Sequence, residues 1–326
     1  MSWYYRAPWW LPGGNLQTIY SAKLAQRYVG PKPSWVRERW DTPDADFVDV
    51  DWHSAQNPAA KNAPLLVLFH GLEGSSSSHY AQAFAQEAQT RGWHMAVPHF
   101  RGCSGEINLT PRAYHSGDFE EIGWMLQRFR AQHAGPIYAV GISLGGNALM
   151  RWAGEMGHAA AQLASAIASV CSPIDLTASG NAIDTGLNKA IYARMFLATM
   201  KPRALQKLQQ FPGLFDPQRL MSANTLYAFD DVFTAPLHGF KNTDDYWARA
   251  SAKQGLADVR VPALVLNARN DPFIPASCLP TQAQVSDHVT LWQPEQGGHV
   301  GFACGDFPAN LQEMPRAVME WMTQHG

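Results

Sequence analysis

Four short and nearly unbroken apolar runs constrain this chain more than any other feature. They are Leu65–Phe69, residues 137–140, Ala166–Val170 and residues 263–267, and none contains a charged side chain. Runs of this kind fit strands covered on both faces, as in a parallel sheet. Helical patterns stand between them, over His79–Thr90, 118–132 and 145–156. In the second of these, Phe119, Ile122, Leu126 and Phe129 fall on one face. Strand–helix alternation implies βαβ crossovers, so the predicted fold class is α/β, with a mostly parallel central sheet flanked by helices.

The pattern predicts three further core elements: strands at 93–98 and Val289–Trp292, and a closing helix at 307–324. Residues 35–40 and 47–52 are expected to form a hairpin around the Pro43-Asp44 turn. Residues 1–34 read as irregular structure with one short helix, and 58–64 as a loop. The stretch 175–250 breaks the rhythm, being helical with no convincing strand. The expected plan is a first core part over 1–174, a helical cap insertion over 175–250, and a second core part over 251–326.

Composition narrows the function classes. The chain is 46% hydrophobic and 16% charged, which supports a sizeable core and argues against disorder. The formal net charge is -2 with no Lys/Arg-rich run, so nucleic acid is not an expected partner. No segment has the roughly 20 apolar residues of a membrane span, and stable membrane insertion is not expected. The first residues, Met1-Ser2-Trp3-Tyr4-Tyr5-Arg6, lack the pattern of a signal peptide. Cys103, Cys171, Cys278 and Cys304 form no C-x-x-C pair and no zinc-type cluster. They are read as reduced thiols in a cytoplasmic protein, with no metal and no cofactor expected. Oligomeric state is not legible.

The chemistry centres on Gly141-Ile142-Ser143-Leu144-Gly145. A bare G-x-S-x-G occurs often by chance, but here it lies between a predicted strand and a predicted helix. The turn must be sharp enough to lift the Ser143 hydroxyl clear of the sheet, so both residues two places away must be small. The helix that starts behind it offers free amides and a favourable dipole to an oxyanion, and Leu144 N–H is the expected donor. A second donor is expected from Leu72, in His70-Gly71-Leu72-Glu73-Gly74 after the first apolar run. His70 is read as a loop-stabilising residue. The Glu73 carboxylate would oppose an oxyanion, so it is expected to point away or to pair with a cation such as Arg101. The run Ser75–78 is read as the cap of the following helix.

Acid and base should follow the serine, each just past a strand end. Asp271 does so in Asn270-Asp271-Pro272, and His299 in Gly297-Gly298-His299. Glu295 is the rival acid, Asp258 lies at the wrong end of its strand, and His288 precedes the last strand instead of following it. Cys103 is a weak rival nucleophile. Tyr114 to Asp118 are expected to cap the next helix, with His115 bordering the pocket. Aromatic and Met residues of the insertion are expected mostly to pack internally, some facing an acyl chain. Trp3, Tyr4, Tyr5, Trp9 and Trp10 are expected to pack over the core, the alternative being contact with a membrane surface.

These residues resemble the YheT-like group of α/β hydrolases, relatives of the ABHD lipases and of yeast ethanol acyltransferases. The resemblance covers nearly the whole chain. It rests on Pro12-Gly13-Gly14-Asn15-Leu16-Gln17-Thr18, His70 to Gly74, Arg101-Gly102-Cys103-Ser104-Gly105, Gly141 to Asn147, Asn270-Asp271-Pro272 and Gly297 to Phe302. It implies the α/β-hydrolase fold and hydrolysis of small-molecule carboxylic esters of short or medium acyl chain, with Ser143, Asp271 and His299 as the triad. Acyl transfer to an alcohol or thiol, carbon–carbon bond hydrolysis and ligand binding without turnover are the alternatives. An H-x-x-x-x-D acyltransferase motif is absent from the sequence.

Overall fold

The computed structural model describes residues 3–53 and 62–326. Its sheet has eight strands: β1 (Val36–Asp41), β2 (Phe47–His53), β3 (Leu65–Phe69), β4 (His94–Pro98), β5 (Ile137–Ile142), β6 (Ala166–Val170), β7 (Ala263–Leu266) and β8 (Val289–Trp292). The spatial order is β1-β2-β4-β3-β5-β6-β7-β8. The hairpin β1–β2 and the pair β2–β4 are antiparallel, and all other pairs are parallel.

The apolar runs are continuous because each strand serves two cores. On β3, Leu65, Val67 and Phe69 face one hydrophobic cluster, which includes residues of helices α3 (Phe119–Gln132) and α4 (Leu144–Met156). Leu66 and Leu68 face the other, with residues of α2 (His79–Thr90) and of the C-terminal helix Glu313–His325. Alternate side chains point to opposite faces of a strand, so burial on both leaves no polar position.

Several boundaries differ from expectation. The closing helix begins at Glu313 instead of 307, because Asn310 pairs with Cys304 in an isolated bridge and holds the chain extended before it. The N-terminal stretch holds α1 (Gly14–Lys23). Trp3 and Tyr5 pack on Phe302, and Trp10 packs on Tyr20, whereas Tyr4 and Trp9 stand in solvent. Ser78 occupies the N-cap of α2 but makes no side-chain capping bond; its Oγ accepts from Ser75 N at 3.0 Å. Of the loop expected over 58–64, residues 58–61 lie outside the described residues.

Between β6 and β7 the described chain is helical, with a long helix Arg194–Gln210 preceded by a π-helical turn Lys189–Ala193. This stretch has its own hydrophobic clusters, and one of them includes Phe273 and Ile274 from the loop after β7. All four cysteines are free. Among the described residues, no helix is long and apolar enough to cross a membrane.

Candidate active site

Ser143 joins β5 to α4 with φ 51° and ψ −119°, a conformation that costs a non-glycine residue on the order of 1–3 kcal/mol. The neighbours show why the flanking positions are glycine. A Cβ at Gly145 would lie 2.5 Å from the carbonyl oxygens of Phe69 and His70. One at Gly141 would lie 2.5 Å from the carbonyl oxygen of Gly145. Ser143 N donates to Val170 O at 2.9 Å, which ties the turn to the end of β6.

Asp271 follows β7, and its carboxylate is fully enclosed. Oδ1 accepts from Phe273 N at 2.8 Å and Oδ2 from His299 Nδ1 at 2.8 Å. With Nδ1 donating, Nε2 is the ring's acceptor, and it lies 3.0 Å from Ser143 Oγ. The structure therefore links Ser143, His299 and Asp271 through one hydrogen-bonded chain. Glu295 is exposed and pairs with Arg269 at 3.2 Å, and His288 is exposed, so neither rival enters this chain.

The loop that carries His299 is held from α1. Gly297 N donates to Gln17 Oε1 at 3.0 Å and His299 N to Thr18 Oγ1 at 2.8 Å. Gly298 N donates to Asn270 Oδ1 at 2.9 Å. Gly298 has φ 56°, and a Cβ there would come within 2.6 Å of Gly14 O. Gln17 and Thr18 were not singled out as site residues by periodicity or chain order. Their only signal was membership of the Pro12–Thr18 motif that carried the family resemblance.

Leu72 and Leu144 both line the cavity that contains Ser143. A Cβ on Gly71 would lie 3.3 Å from Ser143 Cβ, so the 70–74 loop runs against the Ser143 turn. In that loop Gly71 N donates to Tyr80 Oη at 3.0 Å, Glu73 N to Tyr114 Oη at 3.1 Å, and Gly74 N to Gly71 O at 2.9 Å. Leu72 N has no acceptor among the described residues. Leu144 opens α4, and a first-turn amide has no intrahelical acceptor.

His70 is fully buried, with Nδ1 2.8 Å from Gly71 O and Nε2 accepting from Phe100 N at 3.1 Å. Burial pushes its pKa down to about 3, so it is a neutral brace for the loop. Glu73 does not pair with Arg101. Arg101 is committed to Glu121, Asp44 and Asp46 at 2.6, 2.8 and 2.9 Å. The cation beside Glu73 is Arg203 of the insertion, at 3.1 Å, and Tyr114 Oη donates to Glu73 Oε1 at 2.7 Å. Cys103 lies under the same guanidinium, and burial pushes its thiol up to about 12, against a nucleophilic role.

The cavity beside Ser143 has a volume of about 150 Å³. Phe196, Met200, Phe229, Phe233 and Trp247 of the insertion line it, with His115 and Phe273. The remaining insertion aromatics mainly pack elsewhere; Tyr192, for instance, bonds Asn15 at 2.7 Å, and Met195 is exposed. Asp230 is a partly buried carboxylate in the lining, accepting from Thr234 Oγ1 at 2.6 Å and Trp247 Nε1 at 2.9 Å.

Cys171, Asp271 and His299 offer one donor atom each within 4.8 Å of one another. The set suits a cation poorly. Burial holds Cys171 as a thiol with its pKa well above the ordinary value, and the Asp271 and His299 atoms already satisfy each other.

The profile of the alpha/beta hydrolase fold family matches residues 64–305. YheT of Escherichia coli, provisionally called an esterase, is 37% identical over 95% of this chain and 90% of its own length. This chain belongs to the YheT-like α/β hydrolases. Mouse phospholipase ABHD3 is 28% identical over 93% of this chain and 76% of its own. A Pyrococcus furiosus esterase, Pf2001, shares the fold with a TM-score of 0.55 at 14% identity, over 93% of this chain and 97% of that one. By family this chain is a hydrolase, and Ser143 stands between β5 and α4 in a strand–turn–helix unit.

Proposed function

We propose that this α/β hydrolase cleaves carboxylic esters of short or medium acyl chain through an acyl-enzyme on Ser143. The observation that carries the reading is the hydrogen-bonded chain Ser143–His299–Asp271, with Leu72 and Leu144, whose amides have no acceptor among the described residues, lining the same cavity. Ser143 Oγ attacks the ester carbonyl as its proton passes to His299 Nε2. Asp271 fixes the Nδ1–H tautomer and stabilises the imidazolium. The carbonyl oxygen becomes an oxyanion held by the Leu72 and Leu144 amides. Collapse breaks the C–O bond, and His299 gives its proton to the departing alcohol oxygen. Water then attacks the acyl-enzyme, losing a proton to His299, and the acid leaves as Ser143 regains its hydrogen.

The names of relatives, an esterase and a phospholipase, support an acyl ester as substrate. The size of the cavity supports a modest chain. An apolar cavity of roughly 150 Å³ takes a guest the size of benzene, about six carbons. The helices over 175–250 act as a cap, supplying the aromatic wall for the acyl group and the Arg203 charge that neutralises Glu73.

The test is a panel of nitrophenyl esters of graded chain length, on wild type and Ser143→Ala. Turnover should peak at short or medium chains and fall roughly 10⁴-fold or more in the variant. Undiminished turnover in Ser143→Ala would remove Ser143 from the mechanism. Alkyl ester formed with added alcohol would make alcohol, in place of water, the preferred acceptor.

A further inference from the structure

Two stretches of this chain hold no acidic residue. Residues 3–36 carry Arg6, Lys23, Arg27 and Lys32, and residues 185–215 carry Lys189, Arg194, Lys201, Arg203 and Lys207. The whole chain has a formal net charge of -2, so the cations are concentrated locally. The fold brings the two stretches together. Tyr192 Oη donates to Asn15 Oδ1 at 2.7 Å, and Asn188 Nδ2 donates to Pro272 O at 2.7 Å. Both therefore flank the loop of Asp271 and Phe273, and the Phe273 ring lies 4.2 Å from the His299 ring.

Arg203 and Lys207 turn inward to line the cavity, whereas Lys23 and Arg194 are exposed. Aliphatic side chains stand out beside them. Leu16 and Ile19 lie one turn apart on α1, and Leu187, Ile191 and Met195 recur every four residues on the insertion. Leu16 is 53% exposed and Leu187 63%. Cations next to exposed aliphatic side chains are the composition of a helix that lies in a membrane interface.

We propose that this face docks on an anionic lipid bilayer, with the His299 side of the cavity turned toward the lipid. A second copy of the chain would set these acid-free stretches against their own copies, cation against cation. A polyanion such as nucleic acid would meet the charges but leave the aliphatic side chains in water. A bilayer offers anionic headgroups and, just beneath them, hydrocarbon. Docking is read without turnover, so this proposal stands or falls separately from the ester chemistry.

The experiment is co-sedimentation of the full chain with vesicles. One set is phosphatidylcholine alone, the other two parts phosphatidylcholine to one part phosphatidylglycerol. Each Lys or Arg near an anionic surface is worth roughly fivefold in partitioning, so two exposed cations should favour the anionic vesicles at least tenfold. Raising ionic strength well above about 0.1 M should reverse much of this gain. The double variant Ile191→Ser, Met195→Ser and the variant Arg194→Ala should each lose binding while keeping wild-type circular dichroism and turnover of a water-soluble ester. Equal binding to both vesicle types, absence of binding, or binding indifferent to these substitutions would overturn the proposal. So would a dimer that the same substitutions dissolve in the absence of lipid, which would assign the face to a second copy.

Discussion

Replacing Tyr114 by Phe removes one partly buried hydroxyl that makes two bonds to the same residue. It accepts from Glu73 N at 3.1 Å and donates to Glu73 Oε1 at 2.7 Å. Glu73 holds φ 56°, an unfavourable conformation for a residue with a Cβ, so these bonds help to keep the 70–74 loop in shape. Leaving the partly buried Glu73 amide without its acceptor costs at most about 1–3 kcal/mol of stability, the figure for a fully buried group. The larger effect should be on turnover. Leu72 N lies between two anchored amides, Gly71 on Tyr80 and Glu73 on Tyr114. Complete loss of an oxyanion donor costs about 10²–10³ in kcat. With the Tyr80 anchor intact, only part of that should be lost, roughly 10- to 100-fold in kcat, with KM changed by no more than about threefold. Steady-state kinetics on a soluble ester, alongside urea unfolding of the same preparation, separates the two effects. A variant that loses stability but keeps kcat within about twofold of wild type would refute the link between this clamp and the oxyanion site.

Two further predictions follow from single carboxylates. Asp271→Asn should lower kcat by about 10⁴-fold with the fold intact, because an amide no longer enforces the Nδ1–H tautomer of His299; a loss below about tenfold would exclude the orienting role. Burial pushes the Asp230 carboxyl from 3.8 up to about 6. The folded state thus binds this proton more tightly than the unfolded chain, and the stability it contributes is present below 3.8 and lost as pH rises through about 6. Asp230→Asn removes that loss, so its stability relative to wild type should rise by about 3 kcal/mol between acid and neutral pH. A flat or falling difference in urea unfolding across this range would contradict the account.

Much of this was legible in the sequence because the informative features are local. Leu65 to Phe69 reads as a doubly covered strand from five consecutive side chains. Ser143, Asp271 and His299 each follow a strand end, and their order along the chain survives folding. What escaped was long-range. Nothing near Glu73 in the sequence points to Arg203, which arrives from a helix of the insertion, so the expected partner was the nearer Arg101. The buttress of the His299 loop comes from Gln17 and Thr18, which lie 282 and 281 residues before His299 in the chain. Periodicity does not report such contacts, and α1 itself buries only Gln17, Thr18 and Ser21, polar residues that no apolar pattern marks. The late start of the closing helix was missed because the bridge between Cys304 and Asn310 competes with it, and a pairing of that kind leaves no trace in side-chain pattern.

The central claim is that Ser143 is the nucleophile, and covalent labelling tests it most directly. Treated with a fluorophosphonate, the protein should gain the mass of one adduct, and peptide mapping should locate it on Ser143. Ser143→Ala should gain none, and His299→Ala should label far more slowly, since the hydroxyl then lacks its base. An adduct on any other residue, or an unlabelled wild type, would contradict the account.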